Sequence, residues 1–251
     1  MKKMKKLVVG NWKMNPESLL EAKKIVTEVK RGLRTIKNTQ VVVCPPFVYI
    51  SPLSGLQSDL LMLGAQNANA DQMGSRTGEV SFSQLPQFNI GFVIVGHSER
   101  RKMGEDNELV NKKVKSVVSE GMTAIICVGE NTRDNGGEYF NFIKEQISCA
   151  LKDVPKKLLT HVVIAYEPVW AIGATALGPS ELHEMSIYIK KVLKDLFGVF
   201  SSDMRIIYGG DVDRNNADRL VKDGNVSGVL VGRASLRPKD FVEIIKLIDS
   251  I

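Results

Sequence analysis

Four side chains of complementary chemistry follow short apolar runs in this sequence. Asn11 and Lys13 come after KLVV, His97 after FVIV, and Glu167 after VVIAY. Glycine-rich turns, Gly209 with Gly210 and later Gly232, follow two more such runs. A carboxylate of tunable pKa can take a proton from carbon, and an imidazole, an ammonium and an amide can stabilise the oxyanion that results. Backbone N–H groups in the glycine turns could receive an anion. Each residue alone has an ordinary explanation: a loop anchor, a turn histidine or a solvated strand edge. Their joint position after apolar runs makes them a candidate constellation. The set lacks an activated nucleophile, a pair of carboxylates and metal-ligand spacing, which other chemistries require.

Elements must bring these residues together. Strand candidates are Lys6 to Val9, Gln40 to Cys44, Leu60 to Leu63, Phe92 to Val95, Ala124 to Val128, Val162 to Tyr166, Arg205 to Tyr208 and Gly228 to Val231. Helical patterns separate them, so the strands should run parallel with helical crossovers. Leu19, Ala22, Val26, Val29, Leu33 and Ile36 recur at spacings of three and four, with Ser18 and Glu21 placed for a capping box. Leu182, Met185, Ile189, Val192 and Leu196 repeat the pattern after Pro179, with Ser180 the expected cap. A (β/α)8 barrel and a doubly wound open sheet both accept this alternation. In a barrel the residues just past the strand ends share one face, where active sites of such barrels lie.

The chain has 251 residues, a usual length for one α/β barrel, and residues 1–251 are expected to form a single domain. No apolar run approaches a membrane span, and the basic start lacks a following apolar stretch, so the protein is expected in the cytoplasm, away from membranes. Cys44, Cys127 and Cys149 are too scattered for a zinc site or disulfide framework and are expected as buried thiols. The net charge of +6 is spread along helices among glutamates, which argues against nucleic acid as a partner.

The segments NWKMN (11 to 15), CPPF (44 to 47), GAQN (64 to 67), TGEVS (77 to 81), VGHSERR (95 to 101), CVGE (127 to 130), AYEPVWAIG (165 to 173), YGG (208 to 210) and LVG (230 to 232) resemble those of the triosephosphate isomerases, in order. The resemblance implies a (β/α)8 barrel that interconverts dihydroxyacetone phosphate and D-glyceraldehyde 3-phosphate in glycolysis and gluconeogenesis. It implies no metal or organic cofactor. Glu167 would be the base, His97 a neutral electrophile, Lys13 the counter-charge and Asn11 a holder of the oxygen pair; the division between base and neutral histidine in this family is a standard example of pKa tuning. Glu99 would orient Lys13, Cys127 would pack beside the base, and Tyr208 would support the site. Pro168 to Gly178 would be a lid over the small phosphorylated sugar, whose phosphate would meet the backbone N–H groups of Gly173, Asp211, Gly232 and Arg233. Thr77 would reach a partner subunit in a homodimer.

Three departures fall near the phosphate. Ala174 to Pro179 replaces the family's lid hinge, Asp211 its serine after YGG, and Arg233 the second glycine of LVGG. A carboxylate about 5 Å from a phosphate costs roughly 3 kcal/mol per unit charge at an effective dielectric near 20. Asp211 must therefore turn to solvent, cap the turn from Arg214 to Ala217, or be neutralised, and a pair with Arg233 is the expectation. An arginine here beside a reworked lid also resembles isomerases of erythrulose phosphates. That activity, or a non-catalytic sugar-phosphate-binding barrel, is the alternative.

Overall fold

The computed structural model describes residues 4–134, 136–171 and 177–251. Its strands are β1 (Lys6–Asn11), β2 (Thr39–Cys44), β3 (Met62–Ala65), β4 (Phe92–Val95), β5 (Thr123–Val128), β6 (Val162–Tyr166), β7 (Arg205–Tyr208) and β8 (Gly228–Val231). The helices are α1 (Leu19–Gly32), α2 (Phe47–Ser54), α3 (Ser98–Lys102), α4 (Asn107–Ser119), α5 (Glu138–Ala150), α6 (Pro179–Phe197), α7 (Ala217–Lys222) and α8 (Pro238–Asp249). The strands pair in chain order, all parallel, and β8 pairs back to β1, so the sheet is a closed (β/α)8 barrel. The open-sheet alternative is thereby excluded.

Burial on both faces explains why the strands read as β-branched runs rather than as alternating patterns. Leu7, Val9, Val42, Ile94, Ile125, Val163, Ile207 and Leu230 fill the barrel interior. The intervening residues, among them Val8, Val43, Val95, Ile126 and Ile164, face the helices in a second core. There α8 buries Phe241, Ile244, Ile245 and Ile248, each worth about 1.5–3 kcal/mol of transfer free energy. Closure depends on Gly228. It has φ +153°, and a Cβ built there would stand 1.8 Å from the Leu7 carbonyl oxygen of β1. No larger residue fits that seam without separating the two strands.

Several boundaries differ from the sequence reading. β3 begins at Met62, not Leu60, whose side chain is partly exposed. Ser18 caps α1 by accepting the Glu21 N–H at 3.2 Å, while Ile36 lies beyond the helix end. In α6 the cap is Gly178 rather than Ser180: Pro179 takes the first helical position, and the Glu181 carboxylate accepts the Gly178 N–H at 2.9 Å. Leu196 is exposed and Leu193 takes the buried place. Cys44 and Cys127 are buried, and Cys149 is half-buried. No described helix is long and apolar enough to cross a membrane.

Candidate active site

Parallel closure delivers Asn11, His97 and Glu167 to one rim, each at or just past a strand's C-terminal end. Glu167 is 2% exposed, its N–H donating to the Val128 carbonyl at 2.8 Å. Its side chain lies over Gly209, where an added Cβ would come within 2.5 Å of Glu167 Cγ. Oε1 accepts the Cys127 thiol at 3.3 Å, and Oε2 is buried without a partner among the described residues. Burial, then the neighbouring Glu167 charge, push the Cys127 thiol well above its usual pKa. It therefore stays protonated and donates.

His97 is the N-cap of α3, and Nδ1 accepts the Glu99 N–H at 3.2 Å. A nitrogen that accepts carries no proton, so this bond assigns the neutral tautomer with its proton on Nε2. Nε2 stands 3.7 Å from Glu167 Oε1, too far for a direct hydrogen bond. The Nε2–H is thus available to a ligand oxygen beside the carboxylate.

Asn11 ends β1, and its Oδ1 accepts the Lys13 N–H at 3.0 Å, an Asx turn that bends the chain off the strand. Lys13 is then left-handed, with φ +53°, rather than part of a solvated strand edge. Such a backbone persists only when its neighbours hold it. Gln66 does so, its Nε2 donating to the Lys13 carbonyl at 2.8 Å and to the Cys44 carbonyl at 2.9 Å. The Lys13 ammonium bonds Glu99 Oε1 at 2.6 Å. Partial burial acts to raise the Glu99 pKa, but the hydrogen bond and charge of Lys13 outweigh it and the net shift is downward. Glu99 therefore remains an anion that ties Lys13 to the helix His97 caps.

At the anion end, Gly232 precedes a single 3-10 turn, Arg233–Leu236. Among the described residues nothing accepts the backbone N–H of Asp211, Gly232 or Arg233. The Asp211 and Arg233 side chains are both exposed, and no ion pair joins them. The expected pairing is therefore wrong. The turn after β7 is instead held by Asp213, whose Oδ1 accepts the Asn215 N–H at 2.7 Å, so Asp211 is free to face solvent. Gly173, with Ala174, Thr175 and Ala176 of the altered hinge, lies outside the described residues. Thr77 sits in the exposed stretch 71–79, of which Gly78 and Glu79 line one pocket with Lys13 and His97.

The two ends of the expected lid have anchors, of which the sequence reading singled out Tyr208 but not Glu130. Glu130, buried, accepts the Trp170 indole N–H at 2.9 Å and the Tyr166 hydroxyl at 3.0 Å through one oxygen. On the far side the Leu177 N–H donates to the Tyr208 hydroxyl at 3.3 Å. Burial pushes the Tyr208 pKa up to about 12, so it is a neutral hydroxyl at working pH. Glu130 and Gln66 stand inside CVGE and GAQN, and an acid or amide directly after a strand end was the signal available for them.

The family model described as triosephosphate isomerase matches residues 6–248. Curated relatives of that name include proteins of Idiomarina loihiensis, 39% identical over 95% of this chain and 96% of the relative, and Alkaliphilus oremlandii, 39% identical over 96% and 98%. Another, from Chloroflexus aurantiacus, is 38% identical over 95% and 97%.

The close approach at Gly209 gives a direct test of the site's geometry. Gly209→Ala should displace the Glu167 carboxylate and lower kcat on a sugar phosphate about 100-fold, with an unchanged circular dichroism spectrum. Full turnover by the folded variant would show that the observed carboxylate position does not matter.

Proposed function

The chain belongs to the triosephosphate isomerase family, and from that premise we propose how its own side chains interconvert dihydroxyacetone phosphate and D-glyceraldehyde 3-phosphate. The enzyme is an intramolecular oxidoreductase: a proton moves between neighbouring carbons while the electrons stay within the substrate. One observation carries the assignment of roles. A dry carboxylate oxygen without a partner among the described residues, Glu167 Oε2, belongs to the same group whose Oε1 lies 3.7 Å from His97 Nε2.

Glu167 takes the proton from the carbon beside the carbonyl, and the C–H electron pair moves into the carbonyl to form an enediolate. His97 Nε2–H bonds the oxygen on which charge develops and moves the hydroxyl proton between the two oxygens. Lys13 offsets the charge of enediolate and phosphate, Asn11 holds the oxygen pair, and Glu99 keeps Lys13 in place. Glu167 then returns its proton to the neighbouring carbon. The substrate carbonyl is itself the electron sink, so the steps call for no metal or organic cofactor.

The phosphate meets the N–H groups of Asp211, Gly232 and Arg233, supported by their lack of acceptors among the described residues; Gly173 adds a fourth by resemblance. Residues 168–178 close over the ligand and exclude water, which protects the enediolate from losing phosphate. The relatives' shared name favours the three-carbon substrate over an erythrulose phosphate. The presence of base, imidazole, ammonium and amide speaks against a non-catalytic binding module.

The enzyme acts as a single-domain homodimer in the cytoplasm, within glycolysis and gluconeogenesis, and binds neither nucleic acid nor membrane. The exposed stretch 71–79, carrying Thr77, and a groove beside Lys13 whose Met14 and Met103 are 95% and 77% exposed, are complementary surfaces for two copies. Thr77 of one copy then braces Lys13 of the other.

Two measurements test this reading. Glu167→Gln keeps shape and removes basicity. It should lower kcat by about 10³-fold and abolish solvent-deuterium exchange into substrate while phosphate inhibitors still bind. Unchanged exchange would remove Glu167 from the role of base. Sedimentation should give twice the chain mass, and Thr77→Arg should shift it toward the monomer with a parallel fall in kcat/KM. A fully active monomer would refute the brace.

A further inference from the structure

We propose that Arg133 is a positioning residue for the same reaction: its guanidinium holds Trp170 on one flank of the lid and, through Glu181, Gly178 on the other, so that the two ends move as one. The inference rests on the reading that residues 168–178 close over the substrate.

Arg133 stands in the loop between β5 and α5, and its side chain is only 20% exposed. Nε donates to Glu130 Oε1 at 3.3 Å, and Nη2 donates to the Tyr166 hydroxyl at 3.3 Å. The same Glu130 oxygen accepts the Trp170 indole N–H at 2.9 Å. The guanidinium also lies over the Trp170 ring, 5.4 Å from its centroid, and over the Tyr139 ring at 5.0 Å. Trp170 is thus met twice, at its N–H by way of Glu130 and directly at its π face. On the other flank Nη1 pairs with Glu181 Oε1 at 3.6 Å. Glu181 Oε2 accepts the Gly178 N–H at 2.9 Å, where α6 begins. Direct contacts therefore run from Gly178 through Glu181 and Arg133 to Trp170, all outside residues 172–176.

An exposed ion pair by itself adds little, and Glu181 is 51% exposed. Here both partners are fixed before they meet: the carboxylate by the Gly178 amide, the guanidinium by Glu130, Tyr166 and two rings. A planar fork can donate along its edge while its face lies on a ring, which a lysine ammonium cannot reproduce. Asp134, the next residue, does not compete for the guanidinium, because its carboxylate accepts the Glu138 and Tyr139 N–H groups at 3.0 and 3.2 Å. Each flank also has an anchor of its own, Glu130 for Trp170 and the Tyr208 hydroxyl for Leu177. Arg133 is the side chain that joins them.

The chain has two tryptophans, Trp12 and Trp170, so fluorotryptophan labelling gives two fluorine resonances, and Trp170→Phe identifies the second. Glu181→Ala alters an exposed side chain that has no bond to Trp170 among the described residues. It should nevertheless shift the Trp170 resonance, and should cause no further shift once Arg133→Met is in place. Arg133→Met should itself lower kcat about tenfold and raise the inorganic phosphate released per isomerisation about fivefold. The excess arises because an enediolate under a loosened lid expels its phosphate, the electron pair breaking the C–O bond. A Trp170 resonance indifferent to Glu181→Ala while Arg133 is present would overturn the proposal, and that arm serves if Arg133→Met does not fold. An equal shift in both backgrounds, or unchanged phosphate release in a folded Arg133→Met protein, would overturn it too. The two readings fail separately. Binding of a phosphate inhibitor to the native protein should also move the Trp170 resonance. No movement there would overturn the closing lid, whereas a response to inhibitor without one to Glu181→Ala would overturn Arg133 alone.

Discussion

Closing eight parallel strands into one ring forces every strand's C-terminal end onto the same rim, and the chemistry of this protein depends on that constraint. Asn11, His97 and Glu167 lie far apart in the chain, yet each needs only to sit at or just past the end of its own strand to meet the others. The ring tolerates no gap. Gly228 shows how closely it is drawn, since even a methyl group there would occupy the space of a β1 carbonyl. Packing on both faces of the sheet then fixes the rim, so that side chains placed on it lose little freedom when a ligand arrives.

Within that frame the protein keeps a carboxylate away from water. Burial raises the cost of a charge there, and the site offsets the cost with a protonated thiol on Oε1 while leaving Oε2 without a partner among the described residues. A fully hydrogen-bonded carboxylate would be more stable and a poorer base. The imidazole is managed in the complementary way, since the Glu99 amide takes up Nδ1 and aims the ring's one proton at the ligand. Lys13 requires more support than its neighbours: an Asx turn, a left-handed backbone, a glutamine clamp and an ion pair all act on it. Backbone strain held by such contacts is typical of functional positions.

Much of this was legible in the chain. All eight strands were, because burial on both faces selects β-branched runs, and their C-terminal ends pointed to the polar residues of the rim. Helix ends were harder to place. Ser180 looked like a cap, but the proline before it fits the first helical turn and moves the cap to Gly178. Side-chain direction at the rim was not legible at all: Asp211 and Arg233 stand in neighbouring loops with opposite charge, and each turns outward. Buried charged groups such as Glu105, Lys113 and Glu130 were missed for a related reason. Their burial depends on partners far along the chain, such as Asn67 for Lys113 and Trp170 for Glu130. Local pattern carries no record of those partners.

The central claim is that one substrate sits against Glu167 and His97 together, with its phosphate on the amides after β7 and β8. A crystal structure with a phosphate-bearing hydroxamate, which mimics the enediolate oxygen pair, tests this most directly. The account predicts Glu167 and His97 Nε2 both within hydrogen-bond distance of that oxygen pair, and the phosphate on the N–H groups of Gly232 and Arg233. A ligand bound elsewhere on the rim, or a Glu167 carboxylate turned away from it, would contradict the account.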